Sequence, residues 1–253
     1  MNTTSHTLHT AVITGNDKET PAQITASKLI RWSGLAAVVA GLIFASIQPI
    51  HPPDVVASVT TREWAIITTL KTAMCLLFLL GITGLYARQV NKVGWLGLVG
   101  FLVLSLSWAV QTAFVFAEAF IMPPLASTAP QFVDGFLGIS YGRASAVSLG
   151  ALPVLYTTLV GISYMLGGLL FGIAMLRAGI LPRWAAGLLA VASALTPLAA
   201  LLPHNIQRLA AIPVALALAW LGYALWTERA ARAVEPQPVS STSSPHVRQP
   251  AVE

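Results

Sequence analysis

Long apolar runs alternate with short polar breaks along this chain. Six runs stand out, at 32–50, 64–86, 95–122, 153–176, 184–202 and 206–226. A helix rising ~1.5 Å per residue needs about 20 apolar residues to cross the hydrocarbon core of a bilayer. The pattern therefore predicts an all-α, polytopic membrane protein with six transmembrane helices. The third run is longer than one crossing requires, so it is expected to tilt, kink or protrude. Pro197 and Pro213 fall inside runs five and six, where a missing backbone N–H predicts kinks. The short 202–206 connection predicts a tight antiparallel pair. Outside the runs, residues 1–27 are polar and Thr-rich, and 233–253 are rich in Pro and Ser. Both read as disordered cytoplasmic tails around a 28–232 membrane domain. The first tail lacks the basic start and adjoining apolar stretch of a secretory signal.

Composition narrows the class. Hydrophobic residues make up 56% of the chain and charged residues 9%, against roughly 25% charged in soluble domains. So few charges cannot coat a soluble surface of this size, and lipid is the solvent that tolerates the rest. The lone Cys75 excludes an intramolecular disulfide and reads as a small buried hydrophobe. The net charge of +5 comes without the Lys/Arg cluster that tracks phosphates, which argues against nucleic acid as a partner.

The basic residues lie at the ends of the runs, as topology signals do. With the N-terminus inside, ten of them (Lys18, Lys28, Arg31, Arg88, Lys92, Arg177, Arg183, Arg229, Arg232 and Arg248) fall on the cytoplasmic side. Three (Arg62, Arg143 and Arg208) fall outside. Both termini are thus expected in the cytoplasm of a cell membrane. Trp32, Trp95, Trp184 and Trp226 sit where helices meet the inner interface, the layer that suits an indole's polar edge and apolar body. The three outward helices open on similar Trp and Gly positions. Their unequal lengths favour general membrane-helix grammar over a triplicated hairpin.

Two ionisable residues interrupt the apolar runs. Lys71 lies about 10 Å and Glu118 about 7 Å below the outer surface, at ~1.5 Å per residue. A charge in hydrocarbon needs a partner, a route to water or a function. The second and third helices are antiparallel neighbours, so a Lys71–Glu118 pair is geometrically natural and lowers the cost of both charges. On the third helix Gly100, Ser107, Gln111 and Glu118 share one stripe, and on the fourth Thr157, Gly161, Tyr164 and Gly168 share another. Polar stripes turn toward a bundle's interior. Lys71, Gln111 and Glu118, with Ser107 and Tyr164 as lesser members, form the candidate site for a solute or for protons. A structural ion pair, a snorkelling lysine and simple interhelical hydrogen bonds explain the same residues without any ligand.

Other chemistry is weakly signalled. His51, Asp54, Glu118 and His204 make a metal site conceivable, yet no HxxxH or HExxH spacing supports one. No histidine lies at the depth a bis-histidine haem needs. No cofactor is expected. Gly168 and Gly172 form a GxxxG motif that serves contacts within one chain or between chains, so a homo-oligomer or a partner subunit stays open. The outer segment 123–152 is the longest connection. Pro130 opens a helix there, with Phe132, Val133, Phe136 and Leu137 on one greasy face, which lies on the membrane surface or caps the bundle.

Several stretches carry a resemblance: Gln48-Pro-Ile-His-Pro-Pro-Asp54, Gly84-Leu-Tyr-Ala-Arg-Gln89, Gly94-Trp-Leu-Gly-Leu98, Glu118-Ala-Phe-Ile-Met-Pro123 and the segment 167–186. In these the chain resembles an uncharacterised family of small bacterial six-helix membrane proteins that carry a domain of unknown function. The resemblance implies the same six-span layout and a bacterial cytoplasmic membrane, and no activity or catalytic residue. Three function classes remain. One is a protein that binds or translocates a small solute or protons in the outer half of the bundle. The second is a structural or accessory subunit, and the third a metalloenzyme or hydrolase acting at the outer face through His51 and His204.

Overall fold

A computed structural model describes residues 24–202 and 206–234. The expected tails fall mostly outside these residues, as does His204. Among the described residues every regular element is helical. Helix α1 (Ala26–Ile47) starts at Thr25, whose side chain accepts from the Lys28 N–H. Helix α2 (Arg62–Phe116) is capped likewise by Thr61. A helix from Arg62 to Leu125 would run roughly 95 Å if straight. It folds back at Gly94, which takes φ 57° and ψ −160°, a left-handed conformation that glycine adopts without steric cost. The arms 62–93 and 95–116 are the second and third rods.

The third rod continues through a π-helical turn (Ala117–Ile121) into the short α3 (Met122–Leu125). Helix α4 (Pro130–Gly138) follows in the long connection. The fourth rod comprises α5 (Leu152–Leu155), a second π segment (Tyr156–Ile162) and α6 (Ser163–Ala178). Helix α7 (Arg183–Ala194) gives way to a 3-10 segment (Thr196–Leu201). Another 3-10 segment (Gln207–Ala211) leads into α8 (Ile212–Val234).

The prolines act differently from the sequence expectation. Pro197 does not kink an α-helix but starts the 3-10 segment that replaces it. Pro213 is the second residue of α8, where the helix has no acceptor for an N–H and proline costs nothing.

Neighbouring rods close into a ring. Helix α1 packs on α2 and α8, α8 on α7, α7 on α6, and α6 on α2. Small residues set the contacts. A Cβ on Gly34 would lie 2.8 Å from the Gly222 carbonyl oxygen, and one on Gly100 would lie 2.4 Å from the Phe171 nitrogen. Gly168 and Gly172, the GxxxG pair, face Ser193 and Ala190 of α7, so that motif is spent within the chain. Inside the ring, Phe78, Ile82, Leu104, Phe171 and Leu218 are fully buried.

The exterior is apolar. Leu42, Leu76, Leu80, Leu102, Phe120 and Trp220 point outward. Four helices are long and apolar enough to cross a membrane: Ala26–Ile47, Arg62–Leu125, Leu152–Ala178 and Gln207–Glu228. At the end holding the Gly94 turn, Arg88 makes a two-pronged ion pair with Glu228 that joins α2 to α8. Trp95 and Trp184 are among the most exposed large side chains there.

The glycine contacts yield a test. Gly34→Ala should lower unfolding stability by about 1–3 kcal/mol, because the added methyl meets backbone that cannot move aside. Gly187→Ala, whose Cβ would meet only the Leu176 side chain at 3.8 Å, should be close to neutral. Thermal unfolding of both variants in detergent measures the difference.

Candidate functional site

At the opposite end of the ring the rods spread apart. The space between them is a chamber of about 750 Å³, within the range that holds small molecules. All the polar positions singled out above on the second and third rods line it: Lys71, Ser107, Gln111 and Glu118. Tyr164, Thr157 and Gly161 line it from the fourth rod. Gly100 and Gly168, placed on the same stripes by helical periodicity, lie instead in helix contacts.

Lys71 and Glu118 meet at 2.6 Å between Nζ and Oε2, with side chains 15% and 17% exposed. The pair therefore borders the chamber without being sealed from it. Local chemistry explains how Glu118 is held. The Met122 N–H bonds to the Ala117 carbonyl, one residue beyond its α-helical acceptor. That leaves the Glu118 carbonyl to a donor at position 123, which is Pro123 and has no N–H. The indole Nε1 of Trp64 fills the gap and donates to the Glu118 carbonyl at 3.0 Å. Trp64 is fully buried and lies two turns before Lys71, so one helix supplies both the cation and the clamp. π turns of this kind recur at functional sites, and the second one (Tyr156–Ile162) also faces the chamber.

His51 completes a three-membered group. Its Nε2 lies 3.2 Å from Lys71 Nζ and its Nδ1 lies 2.7 Å from the Pro52 carbonyl oxygen. The carbonyl accepts from an Nδ1–H, so Nε2 keeps a lone pair for the ammonium. Burial first, then the positive charges of Lys71 and Arg208, push the imidazole from 6.5 down to about 3. His51 is thus a neutral acceptor at physiological pH.

A second charged group shares the rim, and sequence reasoning missed it. Arg208 donates to Asp54 and to the hydroxyl of Tyr141, and Tyr141 donates to Asp54. Arg143 reaches the Asp54 carbonyl at 3.2 Å. No spacing along the chain signals it, because Asp54 and Arg208 are 154 residues apart. Tyr141 is carried there by the segment 130–141. Val133, Phe136 and Leu137 of α4 are buried against Trp64, Phe114 and Met122, so α4 caps the bundle end rather than lying flat beside it.

The chamber has a floor. Phe44, Phe78, Trp108 and Tyr164 pack ring to ring, with Phe78 and Trp108 centroids 4.4 Å apart. Beneath them Ile82, Leu104, Phe171 and Leu218 are fully buried, while Cys75 is buried one turn before Phe78, on the Lys71 side of the floor. The indole N–H of Trp108 and the hydroxyl of Tyr164 are buried without a partner among the described residues. The Gln111 amide makes no hydrogen bond among the described residues and borders the chamber.

Among the described residues no group of three or more His, Cys, Asp or Glu side chains converges as metal ligands do. His51 and Glu118 do come together, but with the Lys71 ammonium between them. No protein-family model, no curated protein and no solved structure matches the chain.

Two predictions follow from the geometry. Removing one charge strands the other, which in a buried pair costs roughly 3–5 kcal/mol. Lys71→Met should fall near the lower end of that range, because the chamber admits water, and Lys71→Met/Glu118→Leu should recover most of the loss. Thermal unfolding of the single and double variants checks this. His51 binds its proton more weakly folded than unfolded, so its contribution to stability is whole above pH 6.5 and is lost progressively as pH falls toward about 3. His51→Asn should flatten the stability profile between pH 6.5 and 4.5, before the carboxylates titrate.

Proposed function

We propose that the protein is a six-crossing integral membrane protein whose outer chamber binds a small solute against the Lys71–Glu118 pair. The observation that carries this reading is convergence. Charged and polar side chains from separate apolar rods border one hollow of about 750 Å³, and glue between helices would not require a hollow. Intramembrane charge that faces a cavity is functional by default.

Six crossings are supported by length. The Arg62–Leu125 helix is two rods joined at Gly94. Helix α7 has 12 residues, about 18 Å at ~1.5 Å each. Its 3-10 continuation of six residues adds about 12 Å at ~2.0 Å each, close to the ~30 Å hydrocarbon core. The orientation follows from charge. Lys28, Arg31, Arg88, Lys92, Arg177 and Arg183 belong to the end with the Gly94 turn. By the positive-inside rule that end is cytoplasmic, as are both termini, and the chamber faces outside. The proposed setting is the cytoplasmic membrane of a bacterium, as the resemblance to small six-helix bacterial proteins suggests.

The aromatic floor blocks any straight path through the bundle. The chamber is therefore a binding site first, and passage of a solute or proton would need the rods to rearrange. Within it, Lys71 and Glu118 present one donor and one acceptor end, and Gln111 adds an amide.

Two measurements test the proposal. Lys92→Cys and Ser140→Cys, each in a Cys75→Ala background, should differ in intact cells, with only Ser140→Cys labelled by an impermeant thiol reagent. Labelling of Lys92→Cys alone would reverse the orientation. Screening polar solutes by thermal shift should find one that stabilises the wild type, with the shift lost in Glu118→Gln and Gln111→Leu. If no solute shifts the wild type, and proteoliposomes with a trapped pH dye show no Glu118-dependent proton flux, the accessory-subunit reading takes its place.

A further inference from the structure

Among the described residues the ring of rods has a gap in its wall. Helices α6 and α7 are in close contact where Gly168 meets Ser193 and Gly172 meets Ala190. Toward the chamber end they diverge. The π segment Tyr156–Ile162 packs on α2, and the 3-10 segment Thr196–Leu201 packs on the Gln207–Ala211 turn, with no substantial contact between the two. Both segments nevertheless line the chamber, through Thr157, Gly161 and Ile162 on one side and Thr196, Pro197 and Ala199 on the other. Thr157, Gly161, Ile162 and Pro197 are also exposed. The chamber therefore opens sideways between these two segments.

Gly161 marks the opening. Glycines elsewhere in this rod abut a neighbouring helix, with a Cβ on Gly167 falling 2.4 Å from the Leu104 nitrogen. A Cβ on Gly161 would meet nothing nearer than the Tyr156 carbonyl oxygen at 4.0 Å. Outside the opening the lips are greasy: Ile162, Leu195, Leu198 and Leu201 are all exposed. The far end of the chamber carries the clasp of Tyr141 with Asp54 and Arg208.

The lining is graded. Its polar end carries two cations, Lys71 and Arg208, each paired with a carboxylate, Glu118 and Asp54. Its side and floor are mostly apolar, with Phe44, Ile47, Met74, Val115 and Met165, interrupted by Ser107, Gln111, Thr157, Tyr164 and Thr196. A ligand with net charge would leave one unbalanced charge in a largely buried site, which is costly. A zwitterionic head offers an anion to Lys71 or Arg208 and a cation to Glu118 or Asp54. Hydrocarbon tails suit the apolar wall and the sideways exit.

We propose, building on the solute-binding reading above, that the occupant is a membrane amphiphile with a zwitterionic head. It enters from the bilayer between 156–162 and 196–201, seats its head at the two ion pairs and leaves its tails in the opening.

The test uses the full chain in nanodiscs of palmitoyl-oleoyl phosphatidylcholine and phosphatidylglycerol in equal parts, followed by native mass spectrometry. The wild type should retain phosphatidylcholine in preference to phosphatidylglycerol. Gly161→Phe should cut that retention by about tenfold with an unchanged unfolding temperature, since the new ring points into open space. Thr157→Phe provides a second plug should the first fail to fold. Glu118→Gln leaves the head site with an excess cation and should turn the preference toward phosphatidylglycerol. Equal retention of both lipids by the wild type, or retention untouched by both plugs, overturns the inference. If the plugs have no effect while Glu118→Gln still abolishes the solute response, only lateral entry fails. If Glu118→Gln alters neither solute nor lipid binding, the chamber reading fails with it.

Discussion

Low dielectric surroundings and buried charge are in conflict, and the chamber half of this protein is organised around that conflict. Lys71 sits in a stretch of almost unbroken apolar sequence and requires an anion and a hydrogen-bond acceptor nearby. Glu118 supplies the first and His51 the second. His51 serves only as a neutral ring, and burial beside two cations keeps it so. The Asp54, Tyr141 and Arg208 group solves the same problem at the rim. Together these contacts tie the first connection, α2, the α4 segment and the start of α8 into one end plate.

Backbone irregularity makes room for that chemistry. Two π turns and three 3-10 segments border the chamber, whereas the solid half of the bundle is regular α-helix with glycine at its tight contacts. Proline drives much of this. The π turn diverts the Met122 N–H from the Glu118 carbonyl, Pro123 has no N–H to replace it, and Trp64 takes up the vacancy. Pro197 tightens the last turns of α7 into a narrower spiral that leans away from the fourth rod. Glycine thus closes one end of the ring while proline spreads the other.

Much of the site was legible in one dimension. Lys71 and Glu118 were visible because charge is so scarce around them, and antiparallel succession put them in one layer. Periodicity placed Ser107, Gln111, Thr157 and Tyr164 on inward faces, since a polar side chain turned to lipid finds no hydrogen bond. Periodicity overreached at Gly100 and Gly168, because a stripe on an ideal helix ignores where the rods converge. It was silent on Arg208, which looked like one outer charge among three, and on Trp64, which only marked the start of the second run.

The apolar runs, the sparse charge and the bias of basic residues to one end are properties of the sequence alone, because transfer from water to hydrocarbon adds up locally, residue by residue. Those properties sufficed for an all-helical chain with membrane-length apolar segments. The chamber, its clasp and its sideways opening were decided by tertiary structure. They depend on the angles at which rods diverge and on contacts such as Asp54 with Arg208, 154 residues apart, and no local sum of transfer energies contains that information.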